Sequence, residues 1–244
     1  MYTQTALLSI LAAFATASPL AVRQTRINSN EFSEGGCRDI LFAFARGSTE
    51  AGNMGTIIGP QTSDGLKQAF GTNAVATEGI DYAAALAPNA LPGGTDQESQ
   101  QLMADTLTAM ASQCPDSVIV AGGYSQGAAV CHRAIEDLPE DVKARIAGVV
   151  LYGDTQKQQD SDQIPNFAKD KVDIICQVGD AVCVGSLVIL PPHLTYGVRA
   201  GDGVGFLMAQ IQGAQARIKA RDGSVGVKEG VVVEVKRLVE GLVA

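Results

Sequence analysis

Apolar residues along this chain fall into short runs separated by polar stretches whose remaining apolar positions recur at helical spacing. The run Ile40–Ala45 (ILFAFA) ends at Arg46-Gly47-Ser48 and predicts a buried strand followed by a loop. Leu66, Ala69 and Phe70 place a helix around 65–70, and 75–82 reads as a second strand. The stretch 87–94, with Pro88, Asn89, Pro92 and two glycines, is a loop. Leu102, Met103, Leu107 and Met110 mark an amphipathic helix over 97–113. A strand at 118–121 is expected to break at Gly122-Gly123, followed by a helix over 126–138 that stops before Pro139. Further strands are expected at 146–152 and 172–177. Strands alternating with helices require crossover connections, and hence a mainly parallel sheet covered on both faces.

The ends of the chain read differently. Residues 1–17 carry no charged side chain, and Ala15-Thr16-Ala17 has the small-residue pattern of a signal-peptidase site. The apolar run is too short to span a bilayer. The expectation is therefore a signal peptide at 1–17 and an extracellular protein. A polar pro-segment or loose arm follows at 18–32, then one α/β domain at 33–215, then a tail at 216–244. Residues 206–218 look helical, and Val231, Val235, Leu238, Val239 and Leu242 form a second helical stripe, read as packed on the domain rather than as a partner-binding helix.

Composition narrows the function. With 46% apolar and 18% charged residues the chain is an ordinary globular one, and its net charge of −8 argues against nucleic acid as a partner. A polymer or lipid-like ester met through apolar contact stays compatible. Nothing points to stable membrane insertion or to oligomerisation, so a monomer is expected. The five cysteines leave an odd thiol if disulfides form, and they lack a metal-site spacing with histidine. No metal or organic cofactor is expected.

Gly123-Tyr124-Ser125-Gln126-Gly127 fits the pattern Gly-x-Ser-x-Gly, between an apolar strand and a helical run. A serine on such a sharp turn is pushed out at the sheet edge above a helix N-terminus, which marks Ser125 as a nucleophile. Serine needs a base to take its proton. Of the two histidines, His132 lies about two turns along the same helix, a rise of about 10 Å, and reads as a helix-face side chain. His193, in a loop after Pro191-Pro192, is the base. For the orienting carboxylate, Asp180 is favoured over Asp154. A disulfide across Cys176 and Cys183 would fix Asp180 near His193, whereas Asp154 reads as a loop or capping residue. The N–H of Gln126 is one oxyanion donor by motif geometry. Ser48 is either the second donor or a turn-capping serine. Cys37 and Cys114 each precede a strand and could bridge if those strands are neighbours; Cys131 reads as a small buried residue.

Several segments resemble the fungal cutinases: Arg46-Gly-Ser-Thr-Glu50, Asn89-Ala-Leu-Pro92, PDSVIVAGGYSQG ending at Gly127, Ile135-Glu-Asp-Leu138 and CQVGDAVCVGSLVILPPH ending at His193. They spread over most of 37–197. The resemblance implies a three-layer α/β/α sandwich, a small lidless α/β-hydrolase that cleaves cutin, a plant polyester, and short-chain soluble esters. It implies Ser125, Asp180 and His193 as the triad, Ser48 and Gln126 as the oxyanion hole, and Asn89 as the support of Ser48. It pairs Cys37 with Cys114 and Cys176 with Cys183. It also makes Leu86, Tyr124, Leu187, Val188, Ile189 and Leu194 the substrate-binding walls. The tail beyond about residue 218 and Cys131 depart from the family pattern. The rival readings are an acetylxylan esterase and a non-catalytic secreted surface-binding protein on the same scaffold.

Overall fold

The computed structural model describes residues 24–241, with side chains described as far as 221. The expected signal peptide therefore lies outside the described residues. In chain order the helices and strands are α1 (Glu31–Gly35), β1 (Ile40–Ala45), α2 (Gly59–Phe70), β2 (Val75–Gly79), α3 (Gln97–Gln113), β3 (Val118–Tyr124), α4 (Gln126–Asp137), α5 (Glu140–Arg145), β4 (Ile146–Tyr152), β5 (Val172–Ile175) and α6 (Ala200–Gly241). The five strands form one sheet in the order β2-β1-β3-β4-β5, and every pairing is parallel. An all-parallel sheet must be covered on both faces, which explains why β1, β3 and β4 are buried along their whole length.

The apolar run of β1 divides between the two faces at the period of a strand. Leu41, Ala43 and Ala45 join a core with Met103 and Leu107 of α3 and Ala128 and Ile135 of α4. Ile40, Phe42 and Phe44 join the opposite core, with Leu66 of α2 and Leu207 and Ile211 of α6. Each of the larger side chains among them, leucine, isoleucine, phenylalanine or methionine, contributes about 1.5–3 kcal/mol. The small alanines of β1 lie under α4, and they let the helix that follows Ser125 approach the sheet closely.

Three expectations differ from what is found. The strand foreseen at 118–121 does not break at Gly122-Gly123 but pairs on through Tyr124, so Ser125 follows it directly. The arm expected to be loose up to residue 32 is tied down from Thr25 onward. Its Thr25 N–H donates to Asp64 (2.6 Å), Met54 N–H donates to the Ile27 carbonyl (2.9 Å), and Glu31 pairs with buried Lys67 (2.8 Å). At the other end the two expected helical stretches are one continuous helix, α6, with no break near 215. The side chains of the stripe at 231–242 lie outside the described residues.

Cys37 and Cys114, at the starts of two neighbouring strands, are joined with their Cα atoms 5.5 Å apart. Cys176 and Cys183 close a short loop after β5. The first bond ties residues separated by 77 positions, so it removes much denatured-chain entropy, about 4 kcal/mol on a loop-closure basis. Replacing both Cys37 and Cys114 with alanine is expected to lower unfolding free energy by about that amount in urea titration. A loss below about 1 kcal/mol would count against the cross-link.

Candidate active site

Ser125 stands between the end of β3 and the start of α4 with φ 56° and ψ −121°, a backbone conformation that costs a non-glycine residue energy. The turn is possible because the residues two before and two after it, Gly123 and Gly127, have no side chains. A Cβ at position 123 would sit 2.2 Å from the Gly127 carbonyl oxygen, and one at 127 would sit 2.1 Å from the Ala45 carbonyl oxygen. The Ser125 N–H is fixed to the Tyr152 carbonyl of β4 at 2.9 Å, which sets the turn against the sheet edge.

The Ser125 Oγ lies 2.9 Å from His193 Nε2, and His193 Nδ1 lies 2.8 Å from Asp180 Oδ2. All three residues are buried. Asp180 is held from several sides: the Val182 N–H donates to its Oδ1 at 3.0 Å, and the Tyr196 hydroxyl donates to its Oδ2 at 2.7 Å. Burial, and then this hydrogen bond, push the Tyr196 hydroxyl well above its ordinary pKa, so it stays a donor. The Tyr124 hydroxyl donates to the His193 carbonyl at 2.6 Å and its ring stacks on the imidazole. Tyr196 carries no motif, and only its distance of three residues from His193 could have drawn attention to it. The order acid–imidazole–hydroxyl lets the ring accept the serine proton while the acid holds Nδ1–H.

Facing this line, Ser48 Oγ accepts a hydrogen bond from Asn89 Nδ2 at 2.8 Å, and the same amide donates to the Leu86 carbonyl at 2.9 Å. That ties the 46–50 loop to the 86–90 turn. Arg46 and Glu50 brace the loop further: the guanidinium donates to the carbonyls of Glu50, Ile80 and Tyr82, and Glu50 accepts from the N–H groups of Gly47, Thr56 and Ile57. The Gln126 N–H is the first of α4, where backbone donors have no intrahelical partner. Its side chain is anchored by donation to the Ala85 carbonyl at 2.8 Å. Ser48 lines the same cleft as Ser125, and Gln126 follows Ser125 directly in the chain.

Ser125 and His193 open into a cleft of about 800 Å³, whose walls include Leu86, Leu187, Ile189 and Leu194. These four leucine and isoleucine side chains are each more than half exposed, so the cleft mouth is itself apolar. Tyr124 lines the cleft but is only 2% exposed, so its larger role is to hold the His193 loop. Val188 is exposed and does not line the cleft, because successive residues of an extended segment alternate sides. Val182, Ile57 and Thr155, which no motif marks, do line it.

The other histidine is a side chain of α4 as expected, on the face turned into the protein. His132 is fully buried, with Nδ1 2.7 Å from Asp154 Oδ2 and Nε2 3.2 Å from Asp160 Oδ2. Asp154 does cap the loop after β4, accepting the Gln156 N–H on Oδ1 at 2.9 Å, but it is also fully buried, with Oδ2 against this imidazole. Cys131 is the free cysteine among the described residues; burial, and then the Asp154 charge, push its thiol well above the ordinary range. Among the described residues no cluster of His, Cys, Asp or Glu could hold a metal ion.

Comparison with known proteins agrees with this geometry. A family model described as cutinase matches residues 36–211. A protein of Aspergillus fumigatus called probable cutinase 3 is 48% identical over 206 residues, covering 83% of this chain and 95% of its own length. A solved structure of Trichoderma reesei cutinase in complex with a phosphonate inhibitor is 31% identical, with a TM-score of 0.68, and the match covers 76% of this chain and 80% of that one. An acetylxylan esterase structure is 19% identical with a TM-score of 0.56 over 72% of this chain and 99% of its own, a likeness of fold alone.

Proposed function

The chain belongs to the cutinase family of carboxylic ester hydrolases, and from that premise we propose that it hydrolyses cutin and short-chain soluble esters through an acyl-enzyme at Ser125. What carries the reading is the unbroken hydrogen-bonded line from Ser125 through His193 to Asp180 at the floor of an apolar cleft. In the first step the Ser125 oxygen attacks the ester carbonyl as its proton passes to His193 Nε2. Asp180 holds the imidazolium, and the carbonyl oxygen, now negative, is met by the donors of Ser48 and Gln126. His193 then returns the proton to the leaving alcohol. Water enters, His193 takes its proton, and the acid is released with Ser125 restored. Asn89 holds Ser48 in place for both steps.

Secretion and a monomeric state are part of the same proposal. The two disulfides and the leader-like pattern at 1–17 support an oxidising, extracellular setting. No helix among the described residues is long and apolar enough to cross a membrane. Contact with a waxy polymer is instead suited by the exposed apolar rim at the cleft mouth.

The rival acetylxylan esterase reading meets the cleft wall itself: Leu86, Leu187, Ile189 and Leu194 offer an acyl chain contact area and offer a sugar backbone few hydrogen bonds. Purified protein is expected to release p-nitrophenol from its butyrate ester, and monomers from cutin, far faster than acetate from acetylated xylan. Faster deacetylation of xylan would reverse the assignment. No turnover of any ester would leave a surface-binding protein as the better account.

A further inference from the structure

Thr155 follows Asp154 directly and lines the cleft that holds Ser125, only 5% exposed. It also lines a smaller cavity of about 260 Å³, which shares Asn89, Ala90 and Leu187 with the first. The two spaces therefore meet at this residue.

The orientation of the Thr155 hydroxyl is set by a chain of donors behind it. Arg133 on α4 donates to the Gln156 side-chain oxygen at 2.8 Å, and a guanidinium has no acceptor. The oxygen of the Gln156 amide must then face Arg133, so its nitrogen faces Thr155, donating to Oγ1 at 3.1 Å. Arg133 is in turn held by Asp160, the carboxylate that also approaches His132, and the Gln156 N–H is held by Asp154 Oδ1 at 2.9 Å. Gly94 completes the fit, since a Cβ there would sit 2.6 Å from Thr155 Oγ1 and 2.4 Å from Gln156 Nε2. Thr155 Oγ1 is thus an acceptor on its protein side. Its own hydrogen finds no acceptor among the described residues.

An alkyl chain that fills the cleft and expels water would strand that donor, and a stranded buried donor is costly. A chain carrying an oxygen at the right place would satisfy it. We propose that Thr155 is a specificity-determining residue whose hydroxyl hydrogen donates to an oxygen borne by the acyl chain of the substrate, so that the cleft prefers oxygenated chains to plain hydrocarbon ones. The inference rests on the esterase reading above. It assigns Asp154, Asp160, Arg133 and Gln156, which together hold the Gln156 amide, a part in selectivity, by fixing which way one hydroxyl points. A site built to donate a hydrogen bond rejects the analogue that lacks the acceptor.

The test uses p-nitrophenyl hexanoate and analogues in which an ether oxygen replaces one chain methylene at successive positions. The ratio of kcat/KM for each analogue over hexanoate, taken within each variant, cancels changes in the shared machinery. For at least one oxygen position, Thr155→Val and Thr155→Ala are expected to lower the ratio about 5- to 10-fold relative to wild type. Thr155→Ser, which keeps the hydroxyl, is expected to keep it. Ratios equal in all four proteins at every position would overturn the inference, because water would then be satisfying the donor. Retention in either Val or Ala of the wild-type pattern would overturn it as well. If wild type turns over none of these esters, the esterase reading has failed; turnover with invariant ratios sinks the Thr155 role alone.

Discussion

Ser125→Ala is expected to reduce kcat/KM on p-nitrophenyl butyrate by about four to six orders of magnitude, with the folded state essentially intact. The size follows from what the substitution removes: the atom that forms the acyl bond, whose loss in a serine hydrolase leaves only binding and oxyanion stabilisation. Stability should change little, because alanine keeps the Cβ and so inherits the same φ of 56° that the turn imposes. The hydrogen bond lost, Ser125 Oγ to His193 Nε2 at 2.9 Å, leaves a ring still held by Asp180 and stacked on Tyr124. Rates measured by p-nitrophenol release, beside urea midpoints for both proteins, check both halves of the expectation. An alanine variant that keeps its turnover would mean that the nucleophile lies elsewhere.

The parts of this protein legible in its sequence are those where one local cause dominates. β1 could be read because six consecutive apolar residues leave a strand buried on both faces as the simplest outcome. Ser125 could be read because strand, turn and helix are contiguous around it. The continuation of β3 through Gly122 and Gly123 could not, since glycines there weaken a strand locally. They are kept in it by pairing with β1 and β4 on either side and by the close approach of α4. Long-range contacts also decide residues that carry no motif. Tyr196 and Thr155 matter only through what folding places beside them, and His132 is buried by residues 154–160, which lie beyond β4.

The choice of acid shows the same division, and it sets up the second large effect. Asp154 and Asp180 both follow strands, so local pattern alone ranks them poorly; the tertiary partners separate them. Asp154 faces His132, away from the nucleophile, whereas Asp180 faces His193. Asp180→Asn is expected to lower kcat by about 10⁴-fold, with KM moving less than about threefold. Three groups donate to this carboxylate: the Val182 N–H on Oδ1, and the Tyr196 hydroxyl and His193 Nδ1 on Oδ2. An amide must turn its NH₂ toward one side. Facing Val182 it would meet an N–H that has no lone pair to offer, so it turns toward His193 and makes Nδ1 the acceptor. The ring proton then sits on Nε2, where it blocks transfer from Ser125. Asp154→Asn should instead weaken the His132 network, lowering the urea midpoint while kcat falls less than about tenfold. Steady-state kinetics on the pair decide the matter: equal losses, or the larger loss at 154, would move the catalytic carboxylate to the other histidine and undo the assignment of Asp180.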